Sequence, residues 1–107
     1  MSATIEDLEK LSLRVGKIIA AERISGMTKI FKVQVDTGNG TAQAIAGGAE
    51  FYQPESLVGK PVIIATNMVT KTIKGIKSEV MLLAADLNGK PLWLTVDSDA
   101  PPGTKVR

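Results

Sequence analysis

Short apolar runs, each ended by a turn signal, constrain this chain more than any other feature of its sequence. The clearest run is Ile30–Gly38, IFKVQVDTG. Its Phe31, Val33 and Val35 alternate with polar side chains, which is typical of a β-strand with one buried face. The segment Gly38–Gly40 follows and favours a hairpin turn. The sequence therefore predicts paired short strands as the basic unit of the fold.

Similar runs cover most of the remaining chain. Gly16 within the first of them indicates a bulge or a sharp bend, of the kind that barrels use at corners. A helical turn or a short helix, ending near Gly59, is predicted within the segment from Ala49 to Lys60, and Asn88 and Gly89 predict a turn before the last strand. The predicted strands are Leu13–Glu22, Ile30–Gly38, Thr41–Gly48, Pro61–Thr66, Ser78–Asp86 and Pro91–Val96.

The order of these elements points to one architecture. Three strands, a helical segment, two strands and an added hairpin partner are typical of an OB fold, a five-stranded Greek-key barrel. We therefore predict an all-β protein, an OB-fold Greek-key β-barrel with a short N-terminal helix and an extra C-terminal β-hairpin. Such barrels bind oligonucleotides with strands 2 and 3 and with the loops between strands 1 and 2 and strands 4 and 5. Those loops are predicted at Ile24–Lys29 and Asn67–Lys77.

The first eleven residues predict an amphipathic helix. Ile5, Leu8 and Leu11 fall on one stripe, and Thr4 and Asp7 are spaced for an imperfect capping box. We expect that so small a barrel leaves this stripe partly uncovered, which predicts a dimer interface at Ile5, Leu8 and Leu11. The predicted division is residues 1–11 as a dimerisation extension and residues 12–107 as the barrel domain.

Cysteine and histidine are both absent from the 107 residues. Their absence removes thiolate ligands, the commonest metal ligand and the usual general base. We therefore expect no enzyme, no catalytic residue, no metal site and no cofactor. The N-terminus is acidic, and no apolar run approaches the roughly 20 residues of a membrane span. We expect a soluble cytoplasmic protein without a membrane partner.

Positive charge is concentrated in one predicted loop, although the net charge is only +2. Lys71, Lys74 and Lys77 are separated by two residues each, and Lys29 ends the other predicted binding loop. We expect these four lysines to contact phosphates on one face, although three lysines in a loop also suit a merely solvated surface. The chain has only four aromatic residues. So few rings favour folded RNA over an unstructured strand, whose bases need stacking platforms.

Three other residues have competing interpretations. Ser78 either tightens the entry to a strand through a backbone hydrogen bond or contacts RNA, and both roles are compatible. Met81 is expected to pack in the core in preference to contacting a ligand. Tyr52 is expected to pack against the barrel in preference to stacking on a base.

Six motifs of the sequence stand out together: LRVGKI (Leu13–Ile18), IAGG (Ile45–Gly48), YQPESLVGKPV (Tyr52–Val62), ATNM (Ala65–Met68), IKGIKSEVMLLAA (Ile73–Ala85) and PPGTKVR (Pro101–Arg107). They resemble the tRNA-binding domain family, in register from about residue 10 to the C-terminus. That family includes free-standing tRNA-binding proteins, C-terminal domains of methionyl-tRNA synthetases and related cytokine-like domains. The resemblance implies an OB core, homodimerisation of stand-alone members through segments outside the core, and binding of structured tRNA.

The resemblance also implies individual RNA contacts. The family's basic and serine positions in the second binding loop fall on Lys74 and Ser78, with Met81 as a further contact. Lys29 matches the lysine that ends the family's first binding loop. The predicted RNA-binding residues are Lys29, Asn67, Lys71, Lys74, Lys77, Ser78 and Met81.

Two departures from the family pattern leave two binding functions open. Gly26–Thr28 stand where members show asparagine, alanine and aspartate, and Val80 replaces a common glycine, as in export-related chaperones that bind peptides. The first function is a tRNA-binding module, either a free dimer or an accessory to an aminoacyl-tRNA synthetase such as the methionyl enzyme. The alternative is a peptide-binding chaperone or protein-interaction dimer on the same barrel.

Overall fold

Nine β-strands and one short α-helix make up the protein, whose computed structural model describes residues 1–107. The predicted helical segment contains only a 3₁₀ turn, Pro54–Ser56. In chain order the elements are α1 (Ile5–Lys10), β1 (Leu13–Arg23), β2 (Ile30–Asp36), β3 (Thr41–Gly47), β4 (Pro61–Ala65), β5 (Lys71–Ile73), β6 (Ile76–Ser78), β7 (Met81–Leu82), β8 (Ala84–Leu87) and β9 (Lys90–Trp93).

Five strands form one antiparallel sheet in the order β3-β2-β1-β4-β7, and this sheet curls into a nearly closed barrel. Strand β4 returns beside β1 after β2 and β3, as a Greek key requires. Two bonds draw the edges of the sheet together: Glu79 N–H donates to the Gln43 carbonyl at 2.8 Å, and Ile45 N–H donates to Ser78 Oγ at 3.1 Å. The predicted OB-like barrel, with its N-terminal helix and C-terminal hairpin, is confirmed.

The barrel interior holds the side chains that the alternation predicted. Phe31, Val33 and Val35 of β2 have no exposed surface, and neither do Val62 and Ile64 of β4. Burying each such side chain contributes about 1.5–3 kcal/mol. Because side chains alternate along a strand, the residues between them point outward.

Gly16 permits a close contact instead of forming the predicted bulge. The register of β1 against β2 shifts between Ile18 and Ala20, whereas Gly16 pairs regularly with Val62 of β4. A Cβ atom at Gly16 would lie only 2.6 Å from Val35 Cγ1. The bulge therefore lies two residues after Gly16 and not at Gly16, where the close packing requires glycine. The alternative, a sharp bend at Gly16, stays a prediction.

The predicted strand Ser78–Asp86 is not continuous. Val80 and Leu82 are buried in the barrel, as expected where the strand begins. Leu83 N–H then donates to the Ile63 carbonyl at 2.9 Å, and β8 leaves the barrel to pair with β9 alone. All four residues of β8 are exposed, because a strand outside the barrel has no interior to fill.

The N-terminal helix α1 begins with the predicted capping box. Asp7 N–H donates to Thr4 Oγ1 at 3.1 Å, and Thr4 N–H donates to Asp7 Oδ2 at 2.9 Å. No residue of α1 is buried. The division at residue 11 remains a prediction. No helix of the structure combines the length and the apolar character that crossing a membrane requires.

Candidate nucleic-acid interface

The predicted loop Asn67–Lys77 folds into a tight hairpin, β5–β6. Ile73 pairs with Ile76, and the two residues between them, Lys74 and Gly75, have φ angles of 53° and 78°. Two positive φ angles in a two-residue connection define a type I′ turn, which asparagine and glycine favour. Lysine in this left-handed conformation costs about 1 kcal/mol. The hairpin therefore presents a cation at its tip at some cost in stability.

The lysines of the hairpin do not share one face. Lys71 lies opposite Ser78, and Thr72 lies opposite Lys77. Side chains alternate along a strand and cross-strand partners share a face, so Lys71 and Lys77 project from opposite faces. The expectation that all the lysines line one face was wrong. The reason is that the intervening residues form paired strands, whose alternation separates positions 71 and 77.

A groove of about 600 Å³ lies along the face that carries Lys71 and Ser78. Its walls come from the hairpin, from outward-facing positions of the barrel and from the chain that leaves β4. Six of the nine lining residues are apolar. The lining residues are Ile45, Asn67, Met68, Val69, Lys71, Ile73, Ser78, Val80 and Met81. Four predicted contacts, Asn67, Lys71, Ser78 and Met81, thus meet in one groove.

Met81 corrects an expectation. It was expected to pack in the core, but its side chain is 50% exposed. It alternates with Val80 and Leu82, whose side chains fill the barrel, so it must point outward. This position makes it available as a groove contact.

Ser78 has a structural role at this site. Its Oγ accepts the Ile45 N–H at 3.1 Å and lies 3.3 Å from the Val80 carbonyl oxygen, to which it donates. These bonds join the hairpin to β3. The predicted backbone role of Ser78 is confirmed, and one further acceptor position of the hydroxyl remains for a ligand.

Asn67 joins the same site to the N-terminal helix. Its Nδ2 donates to the Lys10 carbonyl at 2.6 Å, and its backbone N–H donates to the Leu11 carbonyl at 3.2 Å. The amide thus satisfies a carbonyl at the end of α1, where carbonyls lack partners within the helix.

Lys29 does not line the groove beside the hairpin. It precedes Ile30, which pairs with Gly47 at the end of β3, whereas the hairpin bonds to Gln43 and Ile45. Lys29 borders a second groove, of about 470 Å³, beside the β8–β9 hairpin. The structure therefore brings Lys71 together with the other groove residues but leaves Lys29 outside that group.

None of the predicted lysines is neutralised by a carboxylate. The single ion pair of the structure joins Lys32 to Glu22 across β1 and β2. All four candidates, Lys29, Lys71, Lys74 and Lys77, are exposed. Exposed ammonium groups without partners are suited to phosphate contacts.

The aromatic side chains form no stacking platform at the hairpin. Phe31 is fully buried, and Tyr52 packs near Trp93, with 6.4 Å between the ring centroids. Tyr52 Oη donates to the Pro91 carbonyl at 2.7 Å, which confirms the predicted packing role. Phe51 is 49% exposed, but it lies in the turn after β3 and not in the groove.

Sequence reasoning missed the apolar wall of the groove, which includes Ile45, Met68 and Val69. One signal was present: Ile45 lies between Ala44 and Ala46, both of which face the interior. An isoleucine at the outward position of a strand indicates a surface contact. Met68 and Val69 gave no such signal, because the predicted loop had no periodicity.

Comparison with known proteins gives a consistent picture. A family model described as "Putative tRNA binding domain" matches residues 13–105. A methionine–tRNA ligase of Methanocella arvoryzae is 49% identical over 105 residues, which cover 97% of this chain but only 15% of the ligase. A MetRS-related protein from Pyrococcus horikoshii superposes with a TM-score of 0.92 at 30% identity, covering 100% of this chain and 99% of that one.

A second solved structure is also similar over its whole length. The chaperone CsaA from Bacillus anthracis str. Ames superposes with a TM-score of 0.89 at 30% identity, covering 100% of both chains. Because the family model spans residues 13–105, the chain belongs to the tRNA-binding domain family.

Proposed function

We propose that this chain is a non-catalytic module that binds structured tRNA through phosphate contacts and shape. The observation that carries the proposal is the β5–β6 hairpin, which holds three exposed lysines without carboxylate partners. Lys74 occupies a left-handed position where asparagine would fit better. Backbone strain of this kind is a reason to infer a functional role.

The groove beside the hairpin supports recognition of a folded RNA. It offers Lys71 and polar groups of Asn67 and Ser78 but no aromatic side chain. Single-strand binders gain about 1–3 kcal/mol per base from aromatic stacking. A site that lacks such stacking suits the backbone and grooves of a duplex region.

We further propose that the module serves a methionyl-tRNA synthetase. The chain corresponds to about 15% of the length of the curated ligase that it matches. A tRNA-binding module held close to a synthetase raises the effective local concentration of tRNA, to about millimolar for a short connection. A homodimer would present the same hairpin twice and would in that way also raise the affinity for tRNA. Action in the cytoplasm follows from such a role.

A second candidate function is peptide binding. The groove is lined mainly by apolar side chains, among them Ile73, Val69 and Met81. Flexible methionines at an exposed groove suit varied peptide side chains. The likeness to the chaperone CsaA supports this candidate.

One binding experiment separates the two candidates. The chain is titrated with total tRNA, with single-stranded oligouridine and with a reduced, alkylated unfolded protein, each at several salt concentrations. We expect tRNA to bind most tightly. Preferential binding of the unfolded protein, with no affinity for tRNA, would support the peptide-binding candidate instead.

A charge-matched pair of variants locates the surface. The triple substitution Lys71→Gln, Lys74→Gln and Lys77→Gln removes the cations of the hairpin. In the control variant, glutamine replaces Lys10, Lys17 and Lys60, three exposed lysines that lie outside the hairpin. Each lost phosphate contact reduces the slope of log K against log salt by about 0.7–0.9. Equal slopes for the two triple variants would exclude the hairpin as the RNA surface.

A further inference from the structure

The C-terminal segment places two cations directly opposite each other. Val15 N–H donates to the Thr104 carbonyl at 2.8 Å, and Val106 N–H donates to the Leu13 carbonyl at 3.0 Å. These bonds flank an antiparallel bridge between Arg14 and Lys105. A residue pair flanked in this way is of the non-hydrogen-bonded type, in which the side chains are closest and project from the same face.

No carboxylate neutralises this pair. Neither Arg14 nor Lys105 forms an ion pair, since the single ion pair of the structure lies elsewhere. The only hydrogen bond of the Arg14 side chain runs from Nη1 to the Gly103 carbonyl at 3.4 Å. The other guanidinium donors remain available. Like charges that lie directly opposite each other on a sheet destabilise the fold. A bound anion would offset the repulsion between Arg14 and Lys105.

A polar cleft of about 720 Å³ opens beside Arg14. Its walls include Ser12, Asn39 and Thr70, whose side chains donate no hydrogen bond within the protein and are therefore available to a ligand. Glu79 also lines the cleft, and its Oε1 accepts the Gln43 N–H at 2.9 Å. The cleft thus combines a guanidinium and polar side chains with one carboxylate that already has a partner.

The cleft adjoins the groove of the hairpin. Met68 and Val80 line both cavities, and Thr70 on the cleft side directly precedes Lys71 on the groove side. A nucleic-acid backbone that contacts Lys71 is therefore placed to extend into the cleft.

We propose that Arg14 and Lys105 form a second phosphate site, which binds the RNA backbone where it leaves the hairpin groove. The inference rests on the proposed function. It extends the RNA-binding surface from the hairpin across the cleft to the C-terminal segment, which the sequence alone did not connect with binding.

The test compares two double variants with the same change in net charge. The first is Arg14→Gln with Lys105→Gln. The second, as control, is Lys17→Gln with Lys60→Gln; both lysines are exposed, Lys17 pairs with Pro61 and Lys60 directly precedes it. We expect the first variant to bind tRNA more weakly and to reduce the salt slope by about 0.7–0.9 per lost contact, while the control changes little. The thermal midpoint of the Arg14→Gln, Lys105→Gln variant should not fall, because this variant removes two like charges that lie opposite each other.

Each outcome decides a different question. Equal salt slopes for the two double variants overturn the second phosphate site, and the hairpin triple variant then shows independently whether the proposed function stands. Failure of the unsubstituted chain to bind tRNA overturns both proposals. If the double variant does not fold, Lys105→Gln alone, at an exposed position, should still reduce the slope by about 0.7–0.9. An unchanged slope for this single variant overturns the site.

Inorganic phosphate distinguishes a free anion from an RNA phosphate. Phosphate alone is titrated while the backbone amide signals of Arg14 and Gly103 are followed by NMR. Saturable shifts below millimolar phosphate, combined with an unchanged salt slope in the double variant, would assign the site to a free anion and overturn the RNA assignment. We expect RNA to shift these signals at concentrations at which phosphate does not.

A substitution at Glu79 tests the same site through an expected gain in tRNA affinity. Glu79→Gln keeps the oxygen that accepts the Gln43 N–H and removes the negative charge from the cleft. We expect tRNA to bind about 2- to 5-fold more tightly, as for removal of a nearby like charge at partial exposure. An unchanged or lower affinity would count against a phosphate in the cleft.

Discussion

Lys71 and Lys77 belong to one hairpin but face opposite ways, because Lys71 pairs with Ser78 and Lys77 pairs with Thr72. Only Lys71 borders the groove that also holds Ser78 and Met81. A single RNA duplex cannot contact both faces of the same hairpin equally. The alternation of the hairpin therefore makes the two lysines unequal for RNA binding.

We predict that Lys71→Gln weakens tRNA binding more than Lys77→Gln does. The salt slope should fall by about 0.7–0.9 for Lys71→Gln and by less for Lys77→Gln. Fluorescence anisotropy with labelled tRNA at four salt concentrations measures both slopes. A larger effect at Lys77 would place the RNA on the other face of the hairpin.

Lys74→Asn is expected to improve stability and weaken binding. Asparagine tolerates the left-handed conformation that Lys74 adopts at φ 53°. The free energy of unfolding should rise by about 0.5–1 kcal/mol, as measured by urea denaturation. The tRNA affinity should fall, because a cation leaves the hairpin tip.

The β8–β9 hairpin provides a control for this prediction. Asn88 and Gly89 connect β8 to β9 with φ angles of 51° and 90°. Asn88→Ala should lower the free energy of unfolding by a similar amount without changing tRNA binding, because alanine also disfavours the left-handed conformation and adds no charge. If Lys74→Asn lowered stability, the strain assigned to Lys74 would be absent.

The difference between the predictable and unpredictable parts of the fold has a physical basis. Alternation in Ile30–Asp36 fixed which residues of β2 face the core, and an Asn88–Gly89 turn was correctly expected between two strands. The apolar run Met81–Ala85 was assigned to one buried strand, because hydrophobicity alone does not say which partner a strand pairs with. The structure divides that run between the barrel and a separate hairpin.

The sequence predicted which residues belong to the candidate site but not how they are arranged. Lys71 and Ser78 were both identified from the sequence, but their pairing depends on a turn at Lys74 and Gly75 that was assigned to a loop. The opposition of Arg14 and Lys105 was not predictable either. It depends on a contact between residues near the two ends of the chain, which no local pattern reports.

Gly16→Ala is expected to destabilise the barrel. The added Cβ would lie 2.6 Å from Val35 Cγ1 and 3.0 Å from Ile64 Cδ1, both in the core. Overpacking of this kind costs about 1–3 kcal/mol. The control is Gly47→Ala, because no atom lies within 4 Å of a Cβ at that position. Equal thermal midpoints for the two variants would contradict the packing role of Gly16.

Ser78→Ala separates a structural role from a binding role. The substitution leaves the Ile45 N–H without the Oγ that accepts its hydrogen bond at 3.1 Å. An unsatisfied, partly buried donor costs about 1–3 kcal/mol, so the urea midpoint should fall. Well below the melting temperature, tRNA affinity should fall by about 2-fold or less if the role is mainly structural. A large loss of affinity with unchanged stability would instead assign Ser78 to direct RNA contact.

The exposed stripe of α1 predicts a homodimer. Ile5 is 76% exposed, Leu8 is 43% exposed and Leu11 is 38% exposed, so the helix buries none of its apolar residues within the chain. Deleting residues 1–11 would also remove the Lys10 carbonyl that Asn67 binds. Ile5→Ser combined with Leu8→Ser is therefore the sharper variant, because it keeps that bond.

We expect sedimentation equilibrium to give a dimer for the unsubstituted chain and a monomer for this double variant. The variant should keep nearly the same urea midpoint at low protein concentration, since both side chains are exposed in the single chain. Binding of tRNA should weaken as well, because the second hairpin no longer adds to the affinity. A double variant that sediments as an intact dimer would move the interface away from α1.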